Sequence, residues 1–114
     1  WNLFHIPLLW LGGALSLTDM VISNVSCQLD LAPTLLAQLK INTPEYVYGR
    51  NILSTNYQSR AYYSYGDGFG IVSDSMSQIY NSEIDAYTYQ YPSDSLPDYG
   101  RAIYQFIFND FLSK

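Results

Sequence analysis

The stretch Ala61-Tyr62-Tyr63-Ser64-Tyr65, Gly66-Asp67-Gly68, Phe69-Gly70-Ile71-Val72 constrains the chain more than any other. Runs of aromatic and β-branched residues suit a pleated surface, and here they flank turn residues that include two glycines. That pattern predicts a β-hairpin. Asp74-Ser75 and Asn81-Ser82 mark further turns around a short strand at residues 78–80. Residues 86–91 alternate, which places Tyr87, Tyr89 and Tyr91 on one face. The middle of the chain therefore reads as an antiparallel meander of about three or four strands. Its chemistry is set by the 12 tyrosines, whose rings pack while their hydroxyls need a partner or water.

The flanks carry other periods. Residues 5–11 are an uninterrupted apolar run closed by Gly12-Gly13, as expected for a core strand buried on both faces of a parallel α/β sheet. Pro7 lies at its start or faces an unpaired side. Residues 21–25 suit a short second strand. Residues 30–40 form the clearest helix, with Asp30 capping the first turn, Pro33 tolerated there and Leu31, Leu35, Leu36 and Leu39 forming an apolar face. Lys40 complements the helix C-terminus, and Asn42 and Pro44 end it. Residues 45–59 form an irregular connector and residues 92–98 a loop. From 98 to 112 the spacing is helical, with Ile103, Phe106, Ile107 and Phe111 on one face and Tyr104, Phe108 and Leu112 beside it. The fold class is α/β: strand and helix at 1–44, connector and β meander at 45–97, terminal helix at 98–114.

With 48% hydrophobic and 13% charged residues in 114 positions, the chain has a packed core and the size of one domain or part of one. The net charge is −5, and Lys40, Arg50, Arg60, Arg101 and Lys114 are scattered. No basic stripe is there to neutralise a phosphate backbone, which argues against nucleic acid as a partner. A single cysteine, Cys27, excludes an internal disulfide. The apolar run at 6–11 is far too short to span a bilayer and has no basic segment before it. Trp1 stands where a Met would open a gene, and apolar content begins at once. The sequence reads as a soluble piece cut from a larger protein.

Two phrases bring in a family. The order His5-Ile6-Pro7-Leu8-Leu9-Trp10-Leu11-Gly12-Gly13, then Ser26-Cys27-Gln28-Leu29-Asp30-Leu31-Ala32-Pro33-Thr34-Leu35-Leu36, resembles the C-terminal part of sulfatases in the alkaline phosphatase superfamily. The phrase from Ala61 to Gly70 and the ending from Gly100-Arg101-Ala102 through Asp110-Phe111 resemble its narrower lipoteichoic acid synthase-like branch, which includes phosphoglycerol transferases. The resemblance covers nearly the whole chain. It implies the C-terminal fragment of an alkaline phosphatase-like sandwich, from a parent anchored in the bacterial cell envelope with its catalytic domain outside the cytoplasm. Relatives use a Thr, Ser or modified Cys nucleophile and a divalent metal, manganese or zinc. The metal stabilises charge on the transferring group and helps deprotonate the nucleophile. The family's nucleophile and its Asp-His-Gly metal-binding phrase lie upstream of the matching segment and are absent from this sequence. The implied partner is thus the upstream part of the same domain, with membrane contact only through that part and no cofactor held here.

Several side chains invite a chemical role. His5, the only histidine, is a candidate for lining the parent's substrate or metal pocket; a structural histidine at a strand end is the stronger reading, because a metal site needs about three converging ligands. Asp30 is better explained as a helix cap than as a ligand or base. Thr34 has no adjacent base to activate it. Cys27 is followed by Gln28-Leu29-Asp30, not by the Pro or Ala and Arg that conversion to formylglycine requires. Gly66-Asp67-Gly68-Phe69-Gly70 precedes strand-like sequence rather than a helix, so the glycines serve a turn with positive φ and not a phosphate loop. Asp67 alone is not a calcium site. Tyr87, Tyr89 and Tyr91 are the candidate binding surface, either a platform for sugar rings or, more simply, packing against the rest of a parent domain.

The expected function is the C-terminal portion of a metal-dependent phosphoglycerol transferase, without catalysis of its own. A sulfatase fragment is the nearest alternative. A self-standing tyrosine-rich binding or assembly module is the alternative of another class. The exposed edges and apolar faces of such a fragment predict self-association, up to a homo-oligomer.

Overall fold

Glycines decide how the tyrosine-rich strands come together. In a computed structural model, which describes residues 4–12, 19–42, 44, 46–92 and 98–114, strands β1 (Arg60–Tyr65) and β2 (Gly68–Ser73) pair antiparallel with Tyr65 opposite Gly68. Only Gly66 and Asp67 connect them, so the hairpin is tighter than the sequence suggests. Neither Gly66 nor Gly68 adopts positive φ; among the described glycines that conformation belongs to Gly12. The expected role in a left-handed turn is therefore corrected. What the strand glycines provide is room. A Cβ at Gly68 would lie 1.9 Å from the Tyr80 carbonyl oxygen, and one at Gly70 would lie 2.1 Å from the ring of Tyr63 opposite it. The Tyr63 ring thus covers Gly70, an aromatic side chain filling the space that the glycine leaves.

Strands β3 (Ser77–Asn81) and β4 (Ala86–Tyr91) complete a four-stranded antiparallel sheet in the order β1-β2-β3-β4. The fold is mixed α/β, with this sheet and two α-helices, α1 (Leu31–Gln38) and α2 (Tyr99–Leu112). It divides into two compact units, Trp1–Ser59 and Arg60–Lys114.

In the second unit one sheet face carries the core. Phe69 and Ile71 are each 1% exposed. The Phe69 ring stacks on Tyr62 at 5.7 Å, on Tyr80 at 5.0 Å and on Tyr104 of α2 at 5.5 Å. Gly100 lets α2 approach, since a Cβ there would come within 2.4 Å of the Phe69 ring. This contact rolls the helix so that Gly100 and Tyr104 meet the sheet, with Ile103 and Ile107 half-buried beside them. Phe106 and Phe111, expected on the packed face, are exposed.

The first unit contains no strand among its described residues. The core strand expected at 5–11 and the short one at 21–25 are both irregular and largely exposed. Leu9 and Leu11 are 78% and 79% exposed. The reason is that a strand needs a ladder partner, and among the described residues every ladder joins segments within residues 60–91. Gly13, which closes the expected run, and residues 93–97 of the expected loop lie outside the described residues. Helix α1 is shorter than the expected span and follows a 3-10 turn at Gln28–Asp30. At its end Lys40 takes φ 59°, Ile41 N–H donates to the Leu36 carbonyl at 2.9 Å and Lys40 N–H to the Ala37 carbonyl at 3.1 Å. These bonds make a Schellman turn with lysine at the position usually given to glycine.

Candidate functional site

The phrase Asp30-Leu31-Ala32-Pro33-Thr34 places two polar side chains on the inward side of α1, and both are 0% exposed. Burying them demands partners. Asp30 precedes α1, yet its carboxylate makes no capping bond to that helix. It turns back to the 3-10 turn and across to the returning chain instead. Oδ2 accepts from Cys27 N–H at 3.1 Å, from the Cys27 thiol at 3.7 Å and from the Tyr57 hydroxyl at 3.0 Å. Oδ1 accepts the Arg50 amide at 2.9 Å, and Arg50 Nη2 lies 3.4 Å from Oδ2. The expected helix cap is thus corrected: the carboxylate caps the 3-10 turn from its third position and anchors the chain that returns some twenty residues later.

Thr34 completes the fastening. Its hydroxyl donates to the Asp30 carbonyl at 2.5 Å and accepts the Ile52 amide at 2.9 Å. Gly49 permits the approach, because a Cβ there would lie 1.9 Å from the Leu29 carbonyl oxygen. Tyr57 closes the arrangement with one proton between two acceptors, the Val25 carbonyl at 2.9 Å and Asp30 Oδ2. Burial first, and then the adjacent Asp30 charge, push its phenol well above the ordinary value. A phenol so placed is a fixed donor and not a base.

Beside this knot lies an open cleft of about 310 Å³ lined by Arg50, Asn51, Ser54, Asn56, Tyr57 and Gln58. The Arg50 guanidinium is held on every side that the structure shows: 5.0 Å over the Tyr57 ring, 2.7 Å from the Gln58 carbonyl through Nη1, and against Asp30 through Nη2. These residues fall within 45–59, which the sequence marks only as an irregular connector. The one available signal was a base, Arg50, following Gly49 in a chain with few bases.

The expected sites fare differently. His5 is exposed on the irregular stretch 5–11. No group of three His, Cys, Asp or Glu side chains that could hold a metal is gathered among the described residues. The described residues therefore do not by themselves fit a manganese or zinc centre. Tyr87, Tyr89 and Tyr91 do not share a face. Tyr80 pairs with Tyr87 while its neighbour Ile79 pairs with Tyr89, so Thr88 is the extra residue of a bulge and the alternation slips. Tyr87 turns to the core face, its ring 5.3 Å from Tyr80 and its hydroxyl donating to Asp98. Burial, followed by that bond to Asp98, raises its phenol above the ordinary value. Tyr89 and Tyr91 stay on the opposite face, 50% and 62% exposed. A second polar cluster sits on the core side, where Arg101 lies 4.7 Å over the Tyr80 ring and 2.5 Å from Asp85, which also accepts the Tyr80 hydroxyl. Among the described residues no helix is long and apolar enough to cross a membrane.

No protein-family model, curated protein or solved structure matches this chain.

Proposed function

We propose that the chain is the C-terminal portion of a metal-dependent phosphoglycerol transferase of the sulfatase-like, lipoteichoic acid synthase-like kind, working outside the cytoplasm at a bacterial cell envelope. In this reading the chain is a scaffold without catalysis of its own. The nucleophile and the ligands of a divalent metal are supplied by further polypeptide.

The observation that carries this reading is the use made of the Asp-Leu-Ala-Pro-Thr phrase. Its Asp and Thr, the two groups there that chemistry could recruit, are fully buried and engaged in holding residues 50–52. A phrase that serves packing suits a motif spread across enzymes of differing reactions. A sulfatase parent shares this support, and only the substrate separates the two.

The test is to obtain the complete reading frame that contains this segment and to assay its product. The frame is expected to encode an Asp-His-Gly phrase ahead of Trp1. Its product is expected to cleave a glycerophosphate ester in the presence of manganese, and to lose that activity when residues 1–114 are deleted. The 114-residue chain alone is expected to show no turnover of chromogenic phosphodiesters or sulfate esters. Metal-dependent turnover by the chain alone, or a frame with no such phrase, overturns the reading. Turnover of sulfate esters in preference to glycerophosphate identifies the sulfatase alternative.

A further inference from the structure

The cleft at residues 50–58 has a chemistry that the enzyme reading does not use. Its single cation is already neutralised, since Arg50 shares its charge with the buried Asp30 carboxylate at 3.4 Å and spends Nη1 on the Gln58 carbonyl at 2.7 Å. A phosphate or sulfate entering the cleft would have to compete with Asp30 for that guanidinium. The remaining walls are uncharged. Asn51 uses Oδ1 to accept the Leu53 amide at 3.0 Å, which leaves its NH₂ to donate. Ser54 Oγ accepts the Asn56 amide at 3.3 Å, which leaves its O–H to donate. Asn56 and Gln58 also line the cleft at exposed positions, and a carboxamide offers a donor and an acceptor side by side. Tyr57 adds an aromatic wall locked by its hydroxyl.

We infer that this cleft binds a neutral polyhydroxylated ring, a pyranose unit, through the amides of Asn51, Asn56 and Gln58 and the hydroxyl of Ser54. Vicinal hydroxyls donate and accept at the spacing of a carboxamide, and carbon-rich walls match the apolar faces of the ring. The volume, about 310 Å³, stands at the lower end of small-ligand sites and suits one such unit. An open cleft with neutral hydrogen bonds implies millimolar affinity, independent of salt. The inference stands whether or not the parent is a transferase.

Saturation-transfer difference NMR on the 114-residue chain with methyl β-glucopyranoside tests it, because the readout is on the ligand and tolerates self-association. The ring protons are expected to receive saturation at low millimolar concentration, unchanged between 50 and 500 mM sodium chloride. N56A and Q58A, both at exposed positions, are each expected to weaken binding about two- to tenfold, the equivalent of one hydrogen bond. Y89S and Y91S are expected to leave it unaltered. Absence of saturation transfer at 20 mM sugar overturns the inference, as does displacement of the sugar by equimolar inorganic phosphate. Loss of signal in Y89S or Y91S but not in Q58A places the sugar on the sheet and overturns it equally.

Discussion

The two units of this chain solve the problem of order in opposite ways. Arg60–Lys114 is held by repetition: four antiparallel strands, and a single Phe69 ring touching Tyr62, Tyr80, Tyr104 and the space above Gly100. Trp1–Ser59 has a short helix, no strand among its described residues, and a return loop tied down by two polar side chains, Asp30 and Thr34. Apolar packing is non-directional and spreads its stabilisation over many contacts. A buried carboxylate concentrates it at one atom pair and fixes a geometry, at the risk that any lost partner leaves a charge or amide stranded. The comparison therefore predicts graded damage in the sheet unit and abrupt, local damage in the loop unit.

Phe69→Ala should be the most damaging single change, removing about 3–5 kcal/mol by opening a cavity beneath three rings. Loss of the near-ultraviolet tyrosine circular dichroism and an early urea midpoint would register it. Asp30→Ala comes next, at about 3 kcal/mol, because Arg50, Cys27 and Tyr57 lose a common acceptor at a site with no exposure. If Asp30→Ala shifted the urea midpoint no further than an exposed substitution such as Asn56→Ala, the carboxylate would not be the fastening that separates the units. Thr34→Val, similar in shape, should cost about 1–3 kcal/mol by stranding the Ile52 amide.

Alkaline pH sharpens the contrast further. Burial raises Tyr62 to about 12 and also raises Tyr57, Tyr63 and Tyr87, with Asp30 adding to the rise at Tyr57 and Asp98 at Tyr87. An unfolded tyrosine ionises near 10. A phenol whose value is raised on folding contributes stability in full below about pH 10, and that contribution is lost as the pH climbs from 10 towards 12. Ionisation of these four phenols should therefore lag behind pH 10 and coincide with unfolding, seen as a late rise in tyrosinate absorbance. A single smooth titration centred at 10 would refute the burial of those phenols. The smallest effect expected is a gain. Lys40→Gly relieves a side chain at φ 59° and should add about 0.5–1 kcal/mol, seen as a small rise in melting temperature.

What could be read beforehand was local. The Gly66-Asp67 turn, β4 and α2 announce themselves through spacing, since period and turn residues lie within a few positions of one another. Residues 5–11 misled for the same reason: an apolar run has the composition of a buried strand but cannot say whether a partner strand is present. The bulge at Thr88 was invisible because alternation in sequence assumes an unbroken ladder, and one inserted residue sends Tyr87 and Tyr89 to opposite faces. The fastening of Asp30 to Arg50 spans twenty positions of chain without periodicity. Only closing that loop reveals why Gly49 must be a glycine and why Tyr57 must carry a hydroxyl.

Amide hydrogen exchange in the intact chain and in Asp30→Ala tests most directly whether the Asp-Leu-Ala-Pro-Thr phrase is a fastening. The Arg50 amide, bonded to Asp30 Oδ1, should be protected in the intact chain and exchange at close to unfolded rates in the variant, while the Ile52 amide, bonded to Thr34 Oγ1, should lose less of its protection. Equal protection of those two amides in both proteins would contradict the account.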